Sequence, residues 1–391
     1  MRDREGAVDG DYLREVADLV LRLLHVVSGI AWIGASFYFI RLDLGLRPPI
    51  HRADAEAGVA GEYWGVHGGG FYHSQKHAVP PRVLPDPLHW FKWEAYTTWL
   101  SGFGLLVLLY WLDADARLVD PAVADLSTAA AVLASAGFLA IGWLAYDLAC
   151  RLLREDAAVA LFLVLLTAAA AWLATELFAP RAAVLMVGAT LGTIMAANVL
   201  VTIIPAHRQL IRAKEAGREP DAAPGLRAKQ RSVHNNYLTL PVLFTMLAGH
   251  FPLVWSRERA WLVLLAVFAI TLLVRHFFNL WHRDRPAPAL LVAAAVATVA
   301  LVVALDPDDA PPPAVPVSDA GAFAIVERRC ASCHVGASAP GGVVFAKVDD
   351  MRRHADAVER LVRSGAMPPG NATGMTEDER AALVAWAAAA G

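Results

Sequence analysis

Eight apolar runs, each close to 20 residues long, recur along this 391-residue chain; one of them reads "LLVAAAVATVALVVA". A run of that length crosses the hydrocarbon core of a bilayer as a helix. Only a helix or a closed barrel satisfies its backbone amides there. The runs fall at about 16–40, 94–112, 126–149, 157–179, 182–205, 237–255, 260–281 and 288–305. Charged residues make up 18% of the chain and mean hydropathy is +0.44, against about 25% charged in ordinary soluble domains. The expected fold class is all-α: an eight-span helical membrane bundle in lipid, followed by a small all-α domain. The first run carries Asp18, Arg22 and His25 and lacks a cleavage signature, so it reads as a span rather than a signal peptide. No Lys/Arg block points to nucleic acid.

Loop charge orients the bundle. Loop 41–93 carries six Lys/Arg, loop 206–236 seven, and loops 150–156 and 282–287 two each, while the segments on the opposite side carry seven in all. The richer side is expected to be cytoplasmic. The N-terminus and the C-terminal domain then lie on the periplasmic face of a bacterial inner membrane.

Residues 1–305 form the expected membrane domain, 306–317 ("DPDDAPPPAVPV") a Pro-rich linker, and 318–391 a separate small domain. That domain contains "RRCASCHVG". Cys-x-x-Cys-His is the attachment signature of c-type haem. Cys330 and Cys333 would form the thioethers and His334 the proximal iron ligand. A zinc site would need two more ligands, and only His354 remains; a redox pair would need a βαβ pattern, which is absent. Met367, in the loop "SGAMPPG", is the expected second axial ligand, with Met351 and Met375 as rivals in less suitable settings. A Met/His pair suits electron transfer. Thr376 and Glu379 predict a capping box for a terminal helix whose Leu383 and Trp386 pack on "DAGAFAIVERR". Cys150 reads as an ordinary core residue.

Ionisable residues inside spans are costly and are functional candidates by default. His25 and His250 lie at similar expected depth on different helices, which suits bis-histidine haem b ligation. His207, His234 and His276 form a second set nearer the cytoplasm, for another haem, for a substrate or for each other. Loop 41–93 is dense in chemistry-bearing groups. His73, Lys76, His77, His89, Trp90, Lys92 and Trp93 combine rings that stack on planar ligands with groups that deprotonate a weak acid. The plainer reading is an interfacial aromatic belt.

The stretches "LLHVVSGIAWIGASFYFIRLD", "GGGFYHSQKH", "LHWFKWEAYTTWLSGF", "HNNYLTLPVLF" with "GHFP", and "CASCH" with "MPP" resemble the bacterial membrane-bound urate oxidase (urate hydroxylase) family, over nearly the whole chain. The first span is also similar to membrane protoporphyrinogen oxidases, which implies haem b in the membrane part. The resemblance implies oxidation of urate to 5-hydroxyisourate, the first step of purine breakdown. It implies electrons passing through intramembrane haem to a class I cytochrome c domain, and on to a terminal oxidase or a soluble cytochrome. Urate would lie flat near Trp90 or Trp93, with Lys76, Lys92, His73, His77 or His89 assisting proton removal. A non-enzymatic b/c-type cytochrome carrying electrons from quinol to an oxidase is the alternative. A purine or copper transporter is the third reading, though the spans have few Met or Cys.

Overall fold

The computed structural model describes residues 10–305 and 317–390, apart from positions 82, 154, 258, 337, 338, 340, 341, 369, 370 and 372. All but the last residue of the expected 306–317 linker lies outside the described residues.

Helices occupy all eight expected positions: α1 (Gly10–Leu44), α2 (Trp93–Leu106, continued by the π-turn Val107–Trp111), α3 (Thr128–Leu152), α4 (Asp156–Leu177), α5 (Pro180–Glu215, with the π-segment Asn198–Ile203), α6 (Ala223–Ala248), α7 (Ala260–Trp281) and α8 (Pro288–Ala304). Five of them, α1, α3, α4, α5 and α7, are long and apolar enough to cross a bilayer. The protein is a multi-pass helical membrane protein. The other three depart from that standard for separate reasons. α2 is short before its π-turn, α8 has 17 residues, and α6 buries the polar residues Arg231, His234, Asn235 and Asn236.

α5 is the central helix. Its apolar window is 61% buried, against at most 28% in the other four. Gly188 explains how α6 comes so close: a Cβ there would lie 1.9 Å from Thr245 Oγ1, so only glycine permits the approach. Two boundaries differ from the sequence expectation. α5 runs on to Glu215, and α6 starts at Ala223 rather than near 237. The stretch after Pro205 is rich in Arg, Lys, Gln and Leu, all good helix formers. It stops where Gly217 takes a positive φ of 65°.

The long loop also differs. It forms an antiparallel hairpin, β1 (Val59–His67) and β2 (Gly70–His77), in an otherwise helical molecule. The turn residues Gly68 and Gly69 sit at φ 58° and 81°, the paired left-handed conformation that joins twisted strands in two residues.

The C-terminal domain comprises α9 (Asp319–Arg329), α10 (Val348–Arg353), α11 (Ala355–Arg363) and α12 (Glu377–Ala390). The expected capping box is present: Thr376 N–H donates to Glu379 Oε2 at 3.1 Å and Glu379 N–H to Thr376 Oγ1 at 3.2 Å. Leu383 and Trp386 of α12 share a core with Ala322, Ile325 and Val326 of α9. Trp386 Nε1–H donates to Asp319 Oδ1 at 2.8 Å, closing the helix pair.

Candidate functional site

Cys330 ends α9, and the next turn brings His334 N–H to the Cys330 carbonyl at 2.9 Å. Both thiols are free; Cys333 is exposed and Cys330 half-buried, and burial pushes the Cys330 thiol up to about 11. His334 Nδ1–H donates to the Val343 carbonyl at 2.9 Å, which leaves Nε2 as the free donor atom. Met367 packs on the same core cluster as Cys330 and Phe345. Its loop is pinned by Met367 N–H to the Leu361 carbonyl (3.0 Å) and by Arg380 to the Met367 carbonyl (3.1 Å). Pro369 lies outside the described residues. Met351 and Met375 are 0% and 2% exposed within that core. The two thiols, the free imidazole nitrogen and the loop thioether fit a covalent haem c. Among the described residues, no three or more His, Cys, Asp or Glu are grouped to hold a metal ion.

In the membrane domain His25 points from α1 to α2. Its Nδ1–H donates to the Thr98 carbonyl at 2.9 Å, with Ser101 Oγ at 3.3 Å. Gly102 makes the room, since a Cβ there would lie 2.7 Å from the ring. Nε2 is thereby left as an available lone pair, so His25 fits one axial position of a haem. His250 lies in the turn that ends α6 and is exposed. No hydrogen bond joins it to His25.

The second histidine set is dispersed. His207 is exposed on α5, and His276 shares a hydrogen bond with Tyr237 Oη (2.7 Å) on an exposed face. Only His234 is inside. Tyr146 Oη accepts from Asn198 Nδ2 (3.2 Å) and lies 2.7 Å from His234 Nδ1. Asn198 also donates to Asn235 Oδ1 (2.9 Å), and Arg231 pairs with Asp147 at 2.7 Å. Asn198 opens the π-segment of α5, the kind of bulge that recurs at functional sites.

At the end of the bundle that carries the hairpin lies a cavity of about 350 Å³, lined by Arg41 from α1, Glu62, Tyr63 and Trp64 from β1, and His282 just past α7, among others. Arg41 Nη1–H donates to His282 Nδ1 at 3.1 Å, and its guanidinium lies 5.5 Å from the Tyr63 ring centre. Burial, Arg41 and Arg275 together hold the His282 pKa below its usual value, so the ring is a neutral acceptor at pH 7. Arg47 is neutralised by Asp284. Arg41 has no carboxylate partner among the described residues, while Glu62 brings a carboxylate to the same lining. Glu62 is 2% exposed. It accepts from Ile50 N–H (3.0 Å) and from His73 Nε2–H (2.8 Å). His73 stacks on Trp64 at 4.1 Å with planes 8° apart.

The expected loop residues therefore divide. His73 joins the cavity through Glu62 and Trp64. Lys76 is taken up by Asp43 at 2.6 Å, and His77 lies beside Gly58. His89 packs on Phe91, while Lys92 lies 6.0 Å from the Trp90 ring and 5.2 Å from the exposed Trp93. Arg41, Glu62, Tyr63, Trp64 and His282 were not singled out by sequence. The valines and aromatic residues of "VAGEYWGVH" ahead of a glycine turn were the available signal for the strand that carries three of them.

A helical membrane domain with an aromatic cavity that holds an unpaired arginine, joined to a domain with a haem c donor set, defines a membrane-bound, cytochrome-linked oxidoreductase. The family model described as "Urate oxidase N-terminal" matches residues 11–306, and the chain belongs to that family. The model described as "Cytochrome C oxidase, cbb3-type, subunit III" matches residues 319–386 and implies covalent haem c. No curated protein and no solved structure matches the chain.

Proposed function

We propose that the chain oxidises urate to 5-hydroxyisourate at the cytoplasmic end of the membrane domain and delivers the electrons to haem c on the periplasmic side. The observation that carries this reading is the urate-oxidase family match over 11–306 on the same chain as a cytochrome c domain. The balance is urate plus water giving 5-hydroxyisourate, two protons and two electrons. Haem c, when bound through Cys330, Cys333, His334 and Met367, supplies a one-electron acceptor.

The residues of the chain divide the remaining work. Tyr63 and Trp64 offer faces to a planar ring system. Arg41 neutralises the anion; His282, a neutral acceptor, does not offset its charge. The Glu62 carboxylate orients His73 through Nε2, so Nδ1 is the atom that takes the proton. Of the loop candidates, His73 is the one whose contacts with Glu62 and Trp64 support a base at this cavity; Lys76 is held by Asp43. His25, with Nε2 free, is the supported ligand of an intramembrane haem b relay. His250 is the second candidate, and His207, His234 and His276 remain candidates for a further site.

The test is anaerobic addition of urate to the purified protein in detergent, following the haem α-bands. Urate-dependent reduction of haem c is expected. Haem that dithionite reduces and urate never does would refute the enzymatic reading and favour the quinol-linked carrier.

A further inference from the structure

Arg231 and Arg275 are both buried in the bundle, each 4% exposed. Inside a membrane domain a buried cation is costly unless it is paired. Arg231 is paired within the chain: its Nη2 meets Asp147 Oδ1 at 2.7 Å and its Nη1 reaches Asn198 Oδ1 at 3.4 Å. Arg275 on α7 has no carboxylate partner among the described residues. Its Nε–H donates to Asn236 Oδ1 on α6, and Asn236 Nδ2–H donates to Asn279 Oδ1 at 3.2 Å. The guanidinium lies over the Phe37 ring at 3.9 Å. Nη2 is buried and has no acceptor among the described residues. The fork is thus held at Nε and on one face, with Nη2, which shares the Nε edge, left unmet.

Its place in the fold says where the acceptor comes from. Phe37 and Arg41 are one turn apart on α1, and Arg275 precedes His282 by two turns on α7. Arg41 and His282 meet at 3.1 Å in the cavity wall, and the charge of Arg275 reaches His282. At 1.5 Å per residue, Arg275 lies about 6–10 Å below that wall, toward the bundle interior. The two unpaired arginines, Arg41 and Arg275, therefore stand one above the other on the same helix pair.

We propose that Arg275 is the inner counter-charge of the cavity: Arg41 captures a planar purine oxyanion at the mouth, and the Nη2 edge of Arg275 binds its anionic oxygen. A guanidinium suits this better than an ammonium, because it presents fixed N–H groups to a delocalised oxyanion. The inference rests on the cavity being the substrate site.

The experiment is equilibrium dialysis of radiolabelled urate against the full-length protein in detergent, kept anaerobic with haem c fully reduced so that turnover is blocked. Loss of a hydrogen-bonded charge predicts binding weaker by about 10- to 100-fold in Arg275→Gln. Arg275→Lys, which keeps the charge and loses the fork, should fall between. Wild-type affinity in Arg275→Gln, with unchanged haem c content and elution volume, would overturn the proposal. Should Arg275→Gln not accumulate, Arg275→Lys decides alone: weakened binding supports the proposal and wild-type affinity overturns it. If wild-type protein ignores urate but takes up orotate, a different planar anion, in an Arg275-dependent way, the anion site stands and the urate reading falls. If it binds neither, both fall.

Discussion

The cytochrome domain draws its donor set, Cys330, Cys333, His334 and Met367, from residues 330–367 of a single small domain, three of the four within one pentad. The cavity at the hairpin end draws Arg41 from the end of α1, Tyr63 and Trp64 from a strand, and His282 from beyond α7. Its Arg41–His282 bond spans 241 residues of sequence. The two parts therefore fail in different ways. A site written in one segment is lost by removing its own side chains and leaves the rest of the molecule untouched. A site assembled from distant segments depends on the packing that brings them together, so substitutions outside it reach it.

The largest effect belongs to the local site. Cys330→Ala with Cys333→Ala should remove covalent haem c, read by pyridine haemochrome, and abolish urate-driven electron transfer. Urate binding at the opposite end should be unchanged; loss of binding would show that the two sites are not separable. Next, His25→Ala should deplete haem b in the same assay while sparing haem c. Unchanged haem b would place its ligands elsewhere.

At the cavity, Arg41→Gln removes a charge-assisted contact with the substrate, which is worth about tenfold. It should raise KM by that factor while kcat and the haem c spectrum hold. A fall in kcat alone would remove Arg41 from substrate binding. Smaller still is Gly102→Ala. The added methyl would sit 2.7 Å from the His25 ring, and overpacking of this kind costs about 1–3 kcal/mol. A lowered Tm with altered haem b content is expected; wild-type values would mean that the ring has room to move.

The last effect is one of pH. Burial raises the Glu62 pKa, but the Ile50 N–H and His73 outweigh it and hold the carboxyl below its ordinary range. A depressed folded-state pKa contributes stability above the unfolded value, and that contribution is lost as pH falls through the folded one. The hairpin should therefore be intact at neutral pH and loosen only below about pH 4, the ordinary carboxylate range. Exchange of the Ile50 amide, corrected for its intrinsic rate, reads this directly.

Much of the molecule was legible where the signal is local. Apolar runs placed the helices, Thr376 and Glu379 gave the cap, and Leu383 with Trp386 gave the α9–α12 contact. The haem c motif needs only adjacent residues, so spacing revealed it. The cavity was not legible because nothing in sequence links Arg41 to His282; packing of α1 near α7 makes that pair. Depth along a helix also leaves much open. His25 and His250 share an expected depth, yet His25 turns to Thr98 and His250 lies in a terminal turn. Depth fixes one coordinate of a side chain and leaves its direction around the helix to packing.

On the proposed function, electrons taken from urate leave through haem c rather than directly to oxygen. Single-turnover stoichiometry tests it: urate is titrated anaerobically into the oxidised protein with excess external cytochrome c, and the same mixture is then run in air. Two cytochrome equivalents reduced per urate consumed, and no hydrogen peroxide in air, are expected. Peroxide formed one-to-one with urate, with haem c remaining oxidised, would contradict it.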